Sequence, residues 1–289
     1  MKVKLKSVDY ILLLLCGAGI AFVLYRLFYA LNYKWNWEII PTYLVRYDDT
    51  SGSWVPNILL EGFLTTIRLS VWGIVLAALL GLVMGLARTA RRLFFRLCGR
   101  TYVEFIRNSP PLVLVFIFYY FVSDQILPAT GLELFVRDLS PGAQHGLSLL
   151  AAPASLFIPF LSGVITIGIF QGAYITEIVR AGIEAIETGQ WEASRAMGFN
   201  RWQQLRLIIL PQALRLMLPP LANEFINTIK YSSIVSIISI QELTFQGMQV
   251  MASTQITIEI WLTITLMYLL LCLSLSLLVQ YLEKRLAIH

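Results

Sequence analysis

Long apolar blocks alternate along this chain with short clusters of charge. Six of the blocks have roughly the length that carries a helix across a ~30 Å hydrocarbon core. They run over about Tyr10–Leu31, Gly62–Ala87, Thr101–Ser123, Phe160–Ile183, Pro219–Ile240 and Ile258–Leu282. Pro110 and Pro111 break the first half of the third block; Pro219 and Pro220 open the fifth, which is short and polar. Asn32–Asn57 carries Trp35, Trp37, Trp54, Asp48 and Asp49, which suits an interfacial segment. Asp124–Leu156 reads as a loop. The pattern predicts an all-α integral membrane protein with six transmembrane helices.

Charge sets the orientation. Arg88, Arg91, Arg92, Arg96 and Arg100 follow the second block, and Arg195, Arg201, Arg206 and Arg215 lie between the fourth and fifth. The loops of the other side hold only Lys34, Arg46 and Arg137. The arginine-rich side is therefore cytoplasmic, and six spans put both termini there. A signal peptide would also begin with a basic start such as Lys2, Lys4 and Lys6. The first block is too long for that and no A-x-A-like cleavage site follows it, so it reads as a retained span.

Composition narrows the function classes. Hydrophobic residues make up 57% of the chain and charged residues 13%, about half the share of a soluble domain. The net charge of +5 resides in clusters beside the spans and no basic domain lies outside the membrane, which argues against nucleic-acid binding. Cys16, Cys98 and Cys272 form no CxxC pair, and His145 and His289 lie outside the spans, so neither a metal site nor a His-based catalytic site is indicated. No GxxxxGK[ST] phosphate loop occurs, so the chain is expected to bind no ATP itself and to be no enzyme on its own.

Two features carry more information. In the second block Gly73, Ala77, Gly81 and Gly85 place a small residue every fourth position, a helix face that admits a close neighbour within the subunit or on a partner. The polar segment from Glu192 to Pro211 reads EASRAMGFNRWQQLRLIILP. It predicts two short helices with a bend. Thr188 is placed to cap the first, and Gly198 to end it in the left-handed conformation. Asn200 is placed to cap the second, with Gln203 at the capping-box position. Trp202, Leu205 and Ile209 would share an apolar face, with Arg201 and Gln204 turned away from it.

This segment resembles the EAA loop of ABC importer permeases, matched by Glu192, Ala193, Gly198, Ile208, Leu210 and Pro211, with Ser194 in place of the second alanine. The resemblance implies that Glu192, Ala193, Ser194, Arg195, Ala196, Met197, Gly198 and Phe199 form a coupling helix that docks on an ATP-hydrolysing subunit. Tyr102–Val113, Gly172–Ile186 and Leu218–Leu243 resemble the polar amino-acid subfamily, which includes histidine, glutamine and glutamate permeases. The similarity covers about Gly62–Arg285. It implies a type I ABC importer permease fold over 62–285 with its coupling loop at 184–218, preceded by an N-terminal helix and outer loop over 1–61. It further implies two ATPase subunits that hold ATP and Mg2+, a second permease chain, identical or related, and a periplasmic or lipid-anchored substrate-binding protein, all at a bacterial inner membrane.

Charges inside the spans suggest a path. A charged residue at the centre of a span costs about 2.5–3.5 kcal/mol unless it pairs or faces water. Counted from Pro220, Lys230 lies about 15 Å into the bilayer. Asn223, Asn227 and Lys230 form a stripe at i, i+4, i+7, beside Glu224. With Arg107 and Glu177 these residues are candidates to line a route for a zwitterion, the alternative being structural ion pairs; Arg180 and Glu184, at i, i+4, suit an ion pair alone. An ABC permease for another small polar solute, an ion-gradient transporter and an intramembrane enzyme are the competing readings. The second leaves the EAA loop unexplained, and the third lacks a histidine within the spans.

Overall fold

A computed structural model describes residues 7–26, 33–50 and 52–286. Lys2, Lys4, Lys6, residues 27–31 of the first predicted span and His289 lie outside the described residues. The chain divides into two compact units, Met1–Ile39 and Ile40–His289. In the first, helix α1 (Ser7–Tyr25) is followed by a single 3-10 turn, Trp37–Ile39, where Trp35 stacks on Trp37 at 5.9 Å.

The second unit opens with α2 (Ile40–Leu44) and a hairpin of β1 (Val45–Asp48) and β2 (Ser53–Pro56), paired antiparallel with Val45 opposite Pro56. Helix α3 (Ile58–Arg88) starts where the Asn57 side chain accepts the Ile58 amide at 2.9 Å. The rest is helical: α4 (Leu93–Asn108), α5 (Pro111–Phe121), a π turn over 122–126 leading into α6 (Leu127–Ala129), α7 (Leu132–Arg137), α8 (Pro141–Leu150), α9 (Phe157–Glu184), α10 (Thr188–Ala196), α11 (Arg201–Gln203), a π segment over 204–209, α12 (Leu210–Tyr231), a 3-10 segment over 232–238, α13 (Leu243–Thr254) and α14 (Ile258–Leu286).

Five described helical segments are long and apolar enough to cross a membrane: Ile58–Arg88, Pro111–Ala129, Ala154–Glu184, Arg201–Ile238 and Ile258–Leu282. In α1 the apolar stretch is shorter, Val8–Val23.

Helix α9 is the centre of the unit, and 61% of its most apolar window is buried inside the chain. It lies along α3 over most of their length, and the small-residue line of α3 is the contact. Gly73, Ala77, Gly81 and Gly85 are all buried. A β-carbon at Gly73 would meet Ile167 at 2.9 Å, and one at Gly85 would meet Val179 at 2.5 Å. From the other side, a β-carbon at Gly168 would meet Leu76 at 2.6 Å. The line packs within the chain, and it brings the two backbones close enough for dispersion to hold them where no hydrophobic driving force acts. Hydroxyls along the seam satisfy themselves: Thr66, Ser70 and Ser162 bond to the carbonyls four residues back at 3.1, 2.7 and 2.9 Å.

Several boundaries differ from the sequence expectation. The third span begins at Pro111, ten residues late, because Pro110 lacks an amide and forces Ser109 into extended backbone (ψ 146°). The residues ahead of it form α4, an amphipathic helix outside the span. The loop expected over 124–156 is mostly helical, holding α6, α7 and α8. Pro219 and Pro220 do not open the fifth span: both lie inside α12, which starts at Leu210. The depth of Lys230 therefore cannot be counted from Pro220. Between the fifth and sixth spans lies α13, whose N-terminus is capped by Glu242.

The close approach makes a test. Gly81→Val would drive a side chain into Ile175 and within 3.1 Å of its carbonyl carbon. The expected loss is about 1–3 kcal/mol of stability, read as earlier thermal unfolding of the purified protein in detergent. Gly146→Ala, with nothing within 4 Å and a place inside α8, should bring unfolding no earlier.

Candidate functional site

The first site is the turn between α10 and α11. Helix α10 begins after Glu187, which makes no side-chain cap; Thr188 is already the first helical residue, so the expected threonine cap is not formed. Its C-terminus closes in a Schellman turn: the Phe199 amide donates to the Ser194 carbonyl at 3.2 Å and the Gly198 amide to Arg195 at 3.0 Å. This puts Gly198 at φ 81°, a conformation that costs a residue with a β-carbon about 1 kcal/mol or more. Ser194 is fully buried and its hydroxyl donates to the Trp191 carbonyl at 2.9 Å, so only a small residue fits there. Glu192, Ala193, Arg195, Ala196 and Met197 are exposed and form a knob, with Met197 62% exposed.

The base of the knob is fixed. Asn200 and Gln203 make the expected capping box, at 3.0 and 2.9 Å. The Arg201 guanidinium stacks on the Trp191 ring at 3.8 Å. Trp191 packs against a cluster that holds Ile183 at the end of α9, Ile186 just after it, Ile209 at the end of the π segment and Ala213 in α12. The apolar face expected on the second helix is only partly right: Ile209 is buried, but Trp202 is 61% exposed and Gln204 is buried, donating to the Phe199 carbonyl at 2.9 Å. The π winding over 204–209 shifts the register, so positions counted at 3.6 residues per turn rotate off their face.

Of the charged candidates in the spans, Glu177 stands apart. It sits near the end of α9 closest to the knob, paired with Arg88 at the end of α3 and with Arg180 at 2.9 Å; Arg180 also pairs with Glu184. This network bolts the ends of α3 and α9 together.

The remaining candidates gather around α12. Glu224 is buried and accepts from the Gln171 amide at 3.1 Å and the Asn227 amide at 3.4 Å. Gln171 also donates to Thr228 at 3.1 Å, while its own oxygen has no partner among the described residues. Asn223 and Lys230 are exposed on the surface of this chain. The Arg107 guanidinium lies over the Tyr174 ring at 5.5 Å, Tyr174 packs on Phe170 at 5.4 Å, and Phe170 on Tyr231 at 5.6 Å. The result is a polar stripe on α12 beside an aromatic wall contributed largely by α9. Residues 73–288 match the family described as binding-protein-dependent transport system inner membrane component.

The chain belongs to that family.

Among its relatives, the glutamine transport system permease protein GlnP of Escherichia coli (strain K12) is 35% identical over 83% of this chain and 98% of that protein. The glutamate/aspartate import permease protein GltJ of the same strain is 30% identical over 88% and 96%. A crystal structure of an amino acid ABC transporter with histidines superposes at a TM-score of 0.62, with 30% identity, over 79% of this chain and 94% of that one. The inward-facing MetNI methionine ABC transporter shares the fold, at a TM-score of 0.59 and 18% identity.

The sequence conceals part of this arrangement. Gln171, Tyr174 and Tyr231 were not singled out, although a glutamine inside an apolar block is itself a signal. Arg88 was counted with the loop arginines, which hid the partner of Glu177. The network yields a prediction. Glu177→Gln leaves Arg88 and Arg180 opposite a neutral amide and should cost about 1–2 kcal/mol, less than a fully buried pair because Glu177 keeps 20% exposure. Thermal unfolding should come earlier, while transport per assembled complex stays within about twofold, the small change in barrier expected of a group outside the path.

Proposed function

We propose that this chain is the membrane-spanning subunit of an ATP-driven importer and that its cargo is a polar amino acid. The observation that carries the reading is the knob: an exposed short helix ended by a left-handed glycine, on a base that packs against both α9 and α12. Such a lever transmits force only if something grips it. The gripping partner is an ATPase subunit, one for each of two permease chains, and that subunit holds ATP and Mg2+. Similarity to the glutamine and glutamate/aspartate permeases supports an amino acid as cargo.

The stripe supports a second permease chain. Asn223 and Lys230 are exposed on the chain alone, in a helical segment long and apolar enough to cross a membrane, where a lysine facing lipid is costly. A second chain facing them would enclose water and make a path. We place Arg107, Asn223, Glu224, Asn227 and Lys230 along it, the cations toward a carboxylate and Glu224 toward an amine. Closure of the ATPase pair would move the knobs and switch the path between its two faces. An external binding protein delivers the cargo, and the assembly sits in a bacterial inner membrane with the knob and both termini in the cytoplasm. In this reading α1 completes six spans, the permease domain runs over 62–285, and the chain hydrolyses nothing itself.

Two measurements test this. Gly198→Asp and Glu192→Lys should leave the protein inserted and its ATPase bound, yet lower uptake at least about tenfold, equivalent to 1.4 kcal/mol of lost coupling. Crosslinks from residue 196 should reach the ATPase and respond to nucleotide. Wild-type uptake by Gly198→Asp with its ATPase bound would end the coupling assignment. Lys230→Ala should lower uptake more than assembly; failure to assemble would instead make Lys230 a structural residue.

A further inference from the structure

A cavity of about 360 Å3 opens at the end of α3 opposite the arginine-rich loop. Its polar lining is Glu61, Thr65, Arg68, Ser148, Ser239, Gln241 and Gln246, and apolar side chains close it, among them Pro153 and Leu156 from the segment that joins α8 to α9 and Phe160 from α9. None of the α12 stripe lines it. The volume is in the range of small-molecule sites.

Arg68 is the unexpected member. It lies ten residues into α3, about 15 Å along the helix, and is half-buried. Among the described residues its side chain has no ion-pair or hydrogen-bond partner. A guanidinium on a helix long and apolar enough to cross a membrane is retained where it faces water or an anion. Glu61 lies two turns earlier on the same face, also without an ion pair among the described residues, so the cavity has an acidic end and a basic end. Across from them Ser239 adopts φ 61°, a conformation rare outside glycine, directly after the 3-10 segment that follows α12. Strained backbone of this kind gathers at ligand sites.

We propose that this cavity binds the zwitterionic head of an amino acid, Arg68 taking its carboxylate and Glu61 its ammonium group. The inference rests on the amino-acid reading above and adds a site that cargo occupies apart from the α12 stripe. A guanidinium matches a carboxylate with two parallel hydrogen bonds, which a lysine cannot reproduce. A zwitterionic phospholipid head would satisfy the same two charges, so the test must separate the two sources.

The permease–ATPase complex, purified without its binding protein, is titrated with radiolabelled L-glutamine. Arg68→Gln and Glu61→Gln should each weaken binding at least about tenfold, the loss of one charge-assisted contact, and Arg68→Lys should recover part of it. N-acetyl-L-glutamine, which lacks the ammonium, should fail to compete. Gln241→Trp, which fills the cavity from its exposed rim without altering Arg68, should also abolish binding; this covers the case in which Arg68→Gln does not assemble. Wild-type glutamine binding by an assembled Arg68→Gln complex overturns the proposal. So does mass spectrometry showing a phospholipid lost on Arg68→Gln while glutamine binding persists. ATP-driven uptake is measured alongside with the binding protein present. No amino-acid uptake by the wild type would defeat the parent reading, whereas intact uptake with unaltered binding in the variants defeats this inference alone.

Discussion

The close approach of α3 and α9 is the constraint on which the rest of the permease depends. Inside a bilayer, apolar side chains gain little by leaving lipid for one another, so two helices stay together by fitting. The glycines at 73, 81 and 85 remove the side chains that would hold the backbones apart, and α9 returns the fit through Gly168. Once these two helices are joined, α9 becomes the axis against which α4, α5 and α12 pack. Its buried face carries Gln171, and its far end carries Glu177.

The end of α9 is also where mechanical force would enter. Glu177 and Glu184 are engaged by Arg88 and Arg180, and the next residues run directly into Trp191 and the knob. Arg201 stacked on Trp191 ties the return strand of the knob to its outgoing helix, and Ile209 and Ala213 tie it to α12. A push on Met197 would thus reach α9 and α12 together. Those are the helices that hold Gln171 and Glu224 in contact. A flexible loop would dissipate such a push; the Schellman turn and capping box make the loop stiff.

What was legible in the sequence follows the strength of local rules. Gly198 was read correctly because a glycine between two amphipathic segments has one local use, and the Asn200–Gln203 box because capping needs four residues and no tertiary context. The small-residue line was read as a packing face for the same reason. Boundaries near proline were misread in both directions. Pro110 ended a helix that hydropathy alone would have continued, whereas Pro219 and Pro220 sit inside α12, where their missing amides leave the helix unbroken. The choice between those outcomes lies in neighbouring helices. The π winding over 204–209 has no sequence signature, and it misplaced Trp202 and Gln204. On sequence Glu177 stands with the α12 residues as a path candidate; the structure adds its ion-pair partner Arg88, which lies 89 residues away and so beyond the reach of spacing.

Polar groups inside this protein fall into two classes, and the division separates architecture from function better than burial does. Thr66, Ser70, Ser162, Thr176 and Thr228 bond back to their own helix. Glu242, fully buried, is held by the Phe245 amide at 2.8 Å and by the Tyr268 hydroxyl at 2.7 Å, which joins α13 to α14. These groups are satisfied within the chain and need nothing further. Lys230 and Arg68 are not: each is a full charge on a membrane helix with no ion pair among the described residues. The oxygen of buried Gln171 is likewise unpartnered among them. A membrane exacts a high cost for the two unpaired charges, and a partner outside the chain would lower it, whereas the Gln171 oxygen, like the Thr166 hydroxyl, is fully buried and out of reach of one. Water in a path, a second subunit and the charged ends of a cargo molecule are partners that meet that need. A transport protein must leave this incompleteness in place, because a fully satisfied interior would have no reason to bind a zwitterion or to let it go.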